Sequence, residues 1–380
     1  MRFKLEAVDG CARAGVIETA HATLETPYFQ PVATAGAVKG LTWQAMRELG
    51  YPHVLMNTYH LVLRPGVERI RTAGGMRAFS GWDGGILTDS GGYQVFSLAK
   101  LRKYDDDGAS FMSHIDGSSH KLTPESVIEA QAVFGSDIAM PLDICSPHDA
   151  SREQAEAELE ITLRWLERAR DEWERRGRKS EYGDDAALFG IQQGALFEDM
   201  RERSAAAISA LDLPGYAVGG LSVGESDDDF MRMSRFCAPM LPEAKPRYLM
   251  GVGRPADLIR AIGWGYDVFD CVLPTRMARH NVAYTRAGNL DLRKSQFATD
   301  ESPLDAECGC VVCRNHTRAY VYHLAKLHEM NAPILLTYHN LHFYRELTRD
   351  ARAAIARGDY RGFARARLTA LGELNPDWDG

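Results

Sequence analysis

The sequence predicts an α/β protein, a (β/α)8 TIM barrel with a zinc-binding subdomain inserted after the eighth strand. Three observations predict it. Eight short apolar segments alternate with amphipathic, helix-patterned segments. Acidic, amide and glycine residues directly follow those apolar segments. In a barrel such positions converge on one mouth, where active sites lie. Three cysteines and a histidine, spaced for a metal ion, come after the eighth segment.

The expected strands are residues 28–32, 53–56, 85–88, 138–142, 187–191, 216–218, 247–250 and 267–269. A doubly wound open sheet would share this alternation. The strand-end residues favour the barrel: Asp89, Asp143, Gln192-Gln193, Gly219-Gly220-Leu221, Met250-Gly251 and Asp270. Any one of them could be an ordinary turn residue. Their recurrence after six strands points to a site.

The helices carry start signals. Thr123-Pro124 reads as an N-cap followed by proline at the first helical position. Ser151-Arg152-Glu153-Gln154 reads as a capping box, and Ala155, Leu159, Leu163 and Leu166 then form an apolar stripe. Pro255 opens a helix carrying Leu258, Ile259 and Ile262. The chain from Phe343 onward is expected to close the barrel. We expect one TIM-barrel domain over residues 1–380, with the zinc-binding insertion at about 276–341.

Cys308, Cys310 and Cys313 fall within six residues, and His339 lies twenty-six positions beyond the last. Thiolates and imidazole at this spacing suit a four-coordinate zinc ion. Cys308-Gly309-Cys310 is too tight for a normal disulfide. Four protein ligands leave no open coordination position. The zinc is therefore expected to be structural, one per chain, and the chemistry to lie elsewhere.

Hydrophobic content of 45% and charged content of 25% are those of a soluble globular protein. No apolar run approaches a membrane span, and the first residues do not read as a signal peptide. The remaining cysteines, Cys11, Cys145, Cys237 and Cys271, are scattered singly, as in a reducing cytoplasm. A net charge of −8 argues against bulk binding of nucleic acid. Residues 271–330 hold eight Lys/Arg against six acids, a relatively basic stretch that also fits an ordinary solvated surface.

Two carboxylates stand out at the barrel mouth. Asp89 precedes Ser90-Gly91-Gly92-Tyr93, where paired glycines allow a sharp turn and close approach of a flat ligand. Asp270 lies among apolar neighbours with Arg276 just beyond. One carboxylate there can attack a sugar carbon while another handles protons. Two ion-paired structural aspartates would read the same way. Asp143, Gln193 and the Gly219-Gly220 turn offer the acceptor, amide and backbone N–H that match the Watson–Crick edge of guanine. Tyr93 and Met250 offer faces for stacking.

The strings at 89–96, 190–194, 216–225, 248–253 and 269–276, followed by the cysteine motif, resemble tRNA-guanine transglycosylases. The similarity runs from about Glu25-Thr26-Pro27 to His339-Asn340-Leu341. The resemblance implies a zinc-bearing barrel that exchanges guanine at the wobble position of GUN-anticodon tRNAs for a 7-deazaguanine. It implies Asp270 as nucleophile and Asp89 as general acid/base. Ser90, Asp143, Gln193 and Gly220 fall in the base pocket, with the Leu221 carbonyl accepting from an aminomethyl group. Tyr93 and Met250 match a stacking pair. Arg276 and Arg279 match contacts to the anticodon loop, read in a U-G-U context. A cytoplasmic homodimer is implied as well.

Cys145, Val223 and Glu225 resemble the bacterial pocket, which takes 7-aminomethyl-7-deazaguanine (preQ1) rather than queuine. Two departures stand out. Ile144 replaces a glutamate that many bacterial members carry, so weaker discrimination of preQ1 from guanine is expected. His280-Asn281 replaces Asn-Gly after Arg279. Two rival readings remain. A metal-dependent barrel hydrolase needs a histidine-rich centre at the strand ends, often His-x-His after the first strand; that strand reads Tyr28-Phe29-Gln30-Pro31-Val32, and His114, His120 and His148 read as surface or core histidines. A non-catalytic RNA-binding relative would lack the two aspartates, and here both are present.

Overall fold

The computed structural model describes residues 1–98 and 101–374. Eight parallel strands form the barrel: Tyr28–Pro31, His53–Met56, Gly85–Thr88, Ile138–Ala139, Ala187–Gln192, Gly215–Val218, Arg247–Leu249 and Val268–Cys271. Each lies beside its sequence neighbour, and the eighth pairs with the first through Val268 and Tyr28. A parallel bridge between Val32 and Leu55 links the first strand to the second and nearly closes the ring. All eight expected strands are present, and helices lie between them.

The fourth strand is shorter than the sequence suggested, for a local reason. The side-chain amide of Gln131 takes both hydrogen-bonding groups of Met140. Its Nε2 donates to the Met140 carbonyl and its Oε1 accepts from the Met140 N–H, each at 2.8 Å. The ladder ends there, and Pro141 has no N–H to resume it. The eighth strand runs two residues further than expected, so Asp270 lies within it rather than after it.

The helix starts follow the capping signals in two cases. Thr123 accepts from the Ser126 N–H ahead of Pro124, and Pro255 opens the helix Pro255–Gly263. The expected capping box at Ser151 is only half formed. Ser151 accepts from the Gln154 N–H, but the Gln154 side chain turns to Glu158 instead. Ala155, Leu159 and Leu166 are buried, with Leu163 half-buried beside them.

Three antiparallel additions were not legible as strands. Arg2–Asp9, Ala12–Glu18 and Thr23–Thr26 form a sheet before the barrel. Arg102–Asp105, Gly108–Met112 and Ser119–Leu122 form another after the third barrel strand. Val282–Thr285 and Gly288–Asp291 pair beyond the eighth. Around that last hairpin Leu292, Phe297, Leu304, Val312, Val321 and Leu336 make a separate small core.

The closing helix begins at Asn331, twelve residues earlier than expected, and continues unbroken to Ala356. Its first half carries His339. Its second half lays Tyr344, Leu347 and Ala351 on the barrel core. Part of the basic stretch is neutralised locally, since Arg286, Arg293 and Arg318 pair with Asp305, Asp291 and Asp300. No helix among the described residues is long and apolar enough to cross a membrane.

Candidate active site

A cavity of about 580 Å³ opens at the C-terminal mouth of the barrel. Asp89, Ser90, Tyr93, Asp143, Gln193, Gly220, Leu221, Met250, Asp270 and Arg276 all line it. The sequence reading scattered these residues over nearly two hundred positions, and the barrel brings them to one wall. Arg279, at the end of the helix Leu273–Arg279, does not line the cavity.

Asp89 is buried and held by neutral donors. Asn57 Nδ2 donates to its Oδ2 at 2.5 Å, and the Thr58 N–H donates to its Oδ1 at 2.7 Å. Burial pushes its carboxyl up to about 6. The two hydrogen bonds oppose that rise, and the nearby Asp270 carboxylate adds to it. Asn57 was missed in the sequence although it directly follows the second strand, the same position that exposed Asp89.

Asp270 faces the cavity. Its Oδ1 accepts from the Tyr248 hydroxyl at 2.5 Å and from the Gly251 N–H at 2.9 Å. Enclosure by the cavity walls raises its carboxyl, and those two donors oppose the rise. No cation pairs with either aspartate among the described residues, so the reading as ion-paired structural carboxylates fails.

Asp143 is set beside these two by Ser90 and Gln193. The Ser90 hydroxyl donates to Asp143 Oδ1 and Gln193 Nε2 donates to Oδ2, both at 2.7 Å. Burial raises the Asp143 carboxyl against these bonds. The Gln193 Oε1 has no hydrogen-bond partner among the described residues. Gly220 sits at φ +66°, and a Cβ there would lie 2.3 Å from that oxygen. Only glycine fits so close to the amide.

Glu225 accepts from the backbone N–H groups of Ser222 and Val223. Ile144 is not among the residues that line the cavity. It packs with Tyr59, Val95, Phe111, Leu142 and Trp165 in a second core behind the wall.

The candidate metal centre lies beyond the eighth strand. The ligand atoms of Cys308, Cys310, Cys313 and His339 all lie within 4.8 Å of one another. The three sulfurs stand 3.7, 3.6 and 3.3 Å from His339 Nδ1. Tetrahedral bonds of about 2.0–2.3 Å would separate ligand atoms by roughly 3.5–3.8 Å, so the cluster fits a metal ion. His339 Nε2 donates to the Tyr284 carbonyl at 2.8 Å, which leaves Nδ1 as the coordinating atom. His342 Nδ1, 3.5 Å from Cys308 Sγ, is a neighbour the sequence reading missed.

A family model described as queuine tRNA-ribosyltransferase matches residues 9–373. The chain belongs to the queuine tRNA-ribosyltransferase family. A queuine tRNA-ribosyltransferase from Zymomonas mobilis is 47% identical over 371 residues, covering 97% of this chain and 95% of the relative. One from Pelotomaculum thermopropionicum is 51% identical over 347 residues, covering 91% and 92%. One from Aromatoleum aromaticum is 47% identical over 370 residues, covering 97% and 98%. As a member of the queuine tRNA-ribosyltransferase family the protein is an enzyme, a pentosyltransferase. The hydrolase and the non-catalytic readings fall away.

Proposed function

We propose that this enzyme exchanges guanine at the wobble position of GUN-anticodon tRNAs for preQ1, a step of queuosine biosynthesis. The observation that carries the reading is one cavity holding two carboxylates, Asp89 and Asp270, without counterions among the described residues, beside the linked Asp143–Gln193 pair. The flipped guanine would enter that cavity. Asp143, Ser90, Gln193 and Gly220 would read its edge, while Tyr93 and Met250 stack on its faces.

In the first displacement the Asp270 carboxylate attacks ribose C1′. The C1′–N9 bond breaks through an oxocarbenium-like transition state, and Asp89 delivers a proton to the departing guanine. In the second, Asp89 takes a proton from the incoming base, whose nitrogen attacks C1′ and releases Asp270. Two inversions give net retention. The electrostatics support this division of roles. Asp270's charge raises Asp89 before attack, which favours the acid form. Esterification removes that charge, so Asp89 becomes the stronger acid and its conjugate base is ready for the second step.

The PreQ1 reading rests on Cys145, Val223 and the Leu221 peptide, all at the cavity wall. Arg276 and Arg279 would contact the anticodon loop in its U-G-U context. The Cys308, Cys310, Cys313 and His339 set would hold one structural zinc, which supplies folding free energy and no chemistry. We further read residues 1–380 as one domain with its insertion at about 276–341, and the protein as a cytoplasmic homodimer. Exposed Tyr320 and Ile334 on two helices of that insertion, with Leu327 and Met330 in the turn between them, support the dimer. Incubation with labelled guanine and unmodified tRNA, then isolation of the RNA, tests the proposal. Label should enter tRNA and be chased out by preQ1. Unlabelled tRNA would overturn the reading.

A further inference from the structure

Arg201 is the one arginine whose side chain lies among the largest fully buried side chains, and no carboxylate pairs with it among the described residues. A buried guanidinium without a counterion is costly unless dipoles replace the water it lost. Here backbone carbonyls do so. Nε donates to Ala195 O at 3.0 Å, Nη1 to Gln192 O at 3.0 Å and to Gly219 O at 2.8 Å, and Nη2 to Gly220 O at 3.4 Å. The helix Glu198–Ser209 otherwise meets the barrel through small or apolar side chains such as Met200, Ala205 and Ile208. An apolar residue at 201 would serve that packing. The charge is placed where two loops of the base pocket meet.

The consequence follows from peptide geometry. In a planar trans peptide the C=O and N–H point in opposite directions. Holding the Gly219 carbonyl aims the Gly220 N–H away from Arg201, and no protein group among the described residues accepts that hydrogen. A cation on the carbonyl also polarises the peptide and strengthens its N–H as a donor. One turn along the same helix, Ser204 Oγ accepts the Gln193 N–H at 3.0 Å, so the Gln192–Gln193 peptide is clamped at both ends.

We infer that Arg201, with Ser204, is a positioning residue for base recognition: it fixes the backbone that carries the Gln193 side-chain amide and presets the Gly220 N–H, so that both can donate to the O6 acceptor of a guanine-type base. The inference rests on the base pocket proposed above. Calorimetric titration with guanine and with 6-thioguanine tests it, because the thio base keeps both edge donors and replaces O6 with a weaker acceptor. In R201K the ratio of the two dissociation constants should fall toward one, with guanine losing a few-fold to about tenfold and 6-thioguanine losing less. Equal weakening of both bases, or an unchanged ratio, would mark a merely structural arginine and overturn the inference. If circular dichroism shows R201K unfolded, the milder S204A decides by the same ratio. Wild-type protein that binds neither base would instead overturn the pocket reading on which this rests.

Discussion

Asn57 Nδ2 donates to Asp89 Oδ2 across 2.5 Å, and among the described residues only neutral donors reach that carboxylate. The bond does not cancel the penalty of burial, and the Asp89 carboxyl stands at about 6. Between about pH 4 and 6 the folded chain keeps a proton that the unfolded chain has released. Stability is therefore expected to fall as pH rises through that window, by on the order of 3 kcal/mol for this group. Asp257 and Asp267, also lifted to about 6 by burial, act in the same direction. Asp89→Asn isolates the share of Asp89. Urea midpoints from pH 4 to 7 should decline less steeply in the variant, and parallel declines would show an unperturbed Asp89.

Asp270→Asn is expected to abolish exchange while leaving the fold and tRNA binding largely intact. An amide cannot form the ester, and loss of a nucleophile costs several powers of ten. The variant keeps an acceptor for the Tyr248 hydroxyl, so local packing survives. Denaturing gels of wild type with tRNA and a saturating base analogue should show a shifted band. The same band from Asp270→Asn would place the nucleophile elsewhere.

Most of the barrel was legible because strand ends and apolar runs are local signals. Asp89, Asp143 and Gln193 announced themselves by following strands. What escaped was set by tertiary partners. Nothing in the sequence around Gln131 says that its amide will cap Met140 and shorten the fourth strand. Arg201 sits in the first turn of its helix among charged residues, where a surface position is the default reading. Its role appears only once two distant loops converge on it. The sheet at Arg102–Asp105, Gly108–Met112 and Ser119–Leu122 is too polar to show a clear period of two.

Cys308→Ser, or chelation, is expected to lower stability and release one zinc per chain. Structural zinc contributes of order ~10 kcal/mol in small zinc-finger peptides and less where surrounding structure is already folded. His339 belongs to the helix that also packs on the barrel, so loss of the metal should loosen that helix's first half. Metal analysis with thermal melts checks this. Full activity and an unchanged melt in metal-free protein would rule it out.

Arg276→Ala is expected to weaken tRNA use far more than free-base use, and Arg279→Ala to do so less. Arg276 lies on the cavity wall, whereas Arg279 turns its Nε to the Thr275 carbonyl at 3.3 Å. Each lost phosphate contact should also flatten the salt dependence of tRNA affinity, by roughly 0.7 in log–log slope for single-stranded RNA. Steady-state kinetics with each substrate varied separately would decide it. A change confined to the apparent constant for the base would contradict the assignment.

In the proposed pocket, base selectivity is expected to turn on which side chain holds the Leu221 loop. Ile144 cannot, because its side chain is 1% exposed and packed among Tyr59, Phe111 and Trp165. Glu225 does hold it, through the N–H groups of Ser222 and Val223. Ile144→Glu would therefore bury a carboxylate in an apolar core, at a cost of several kcal/mol, without gaining preQ1 preference. Glu225→Gln keeps one acceptor for two donors and should shift preQ1-over-guanine preference by about tenfold or less, the worth of one or two hydrogen bonds. Competition of preQ1, guanine and queuine for one tRNA measures both variants, with melting curves alongside. Wild type should take preQ1 and refuse queuine. A well-folded Ile144→Glu with sharpened preQ1 preference would return position 144 to the pocket and displace Glu225 from this role.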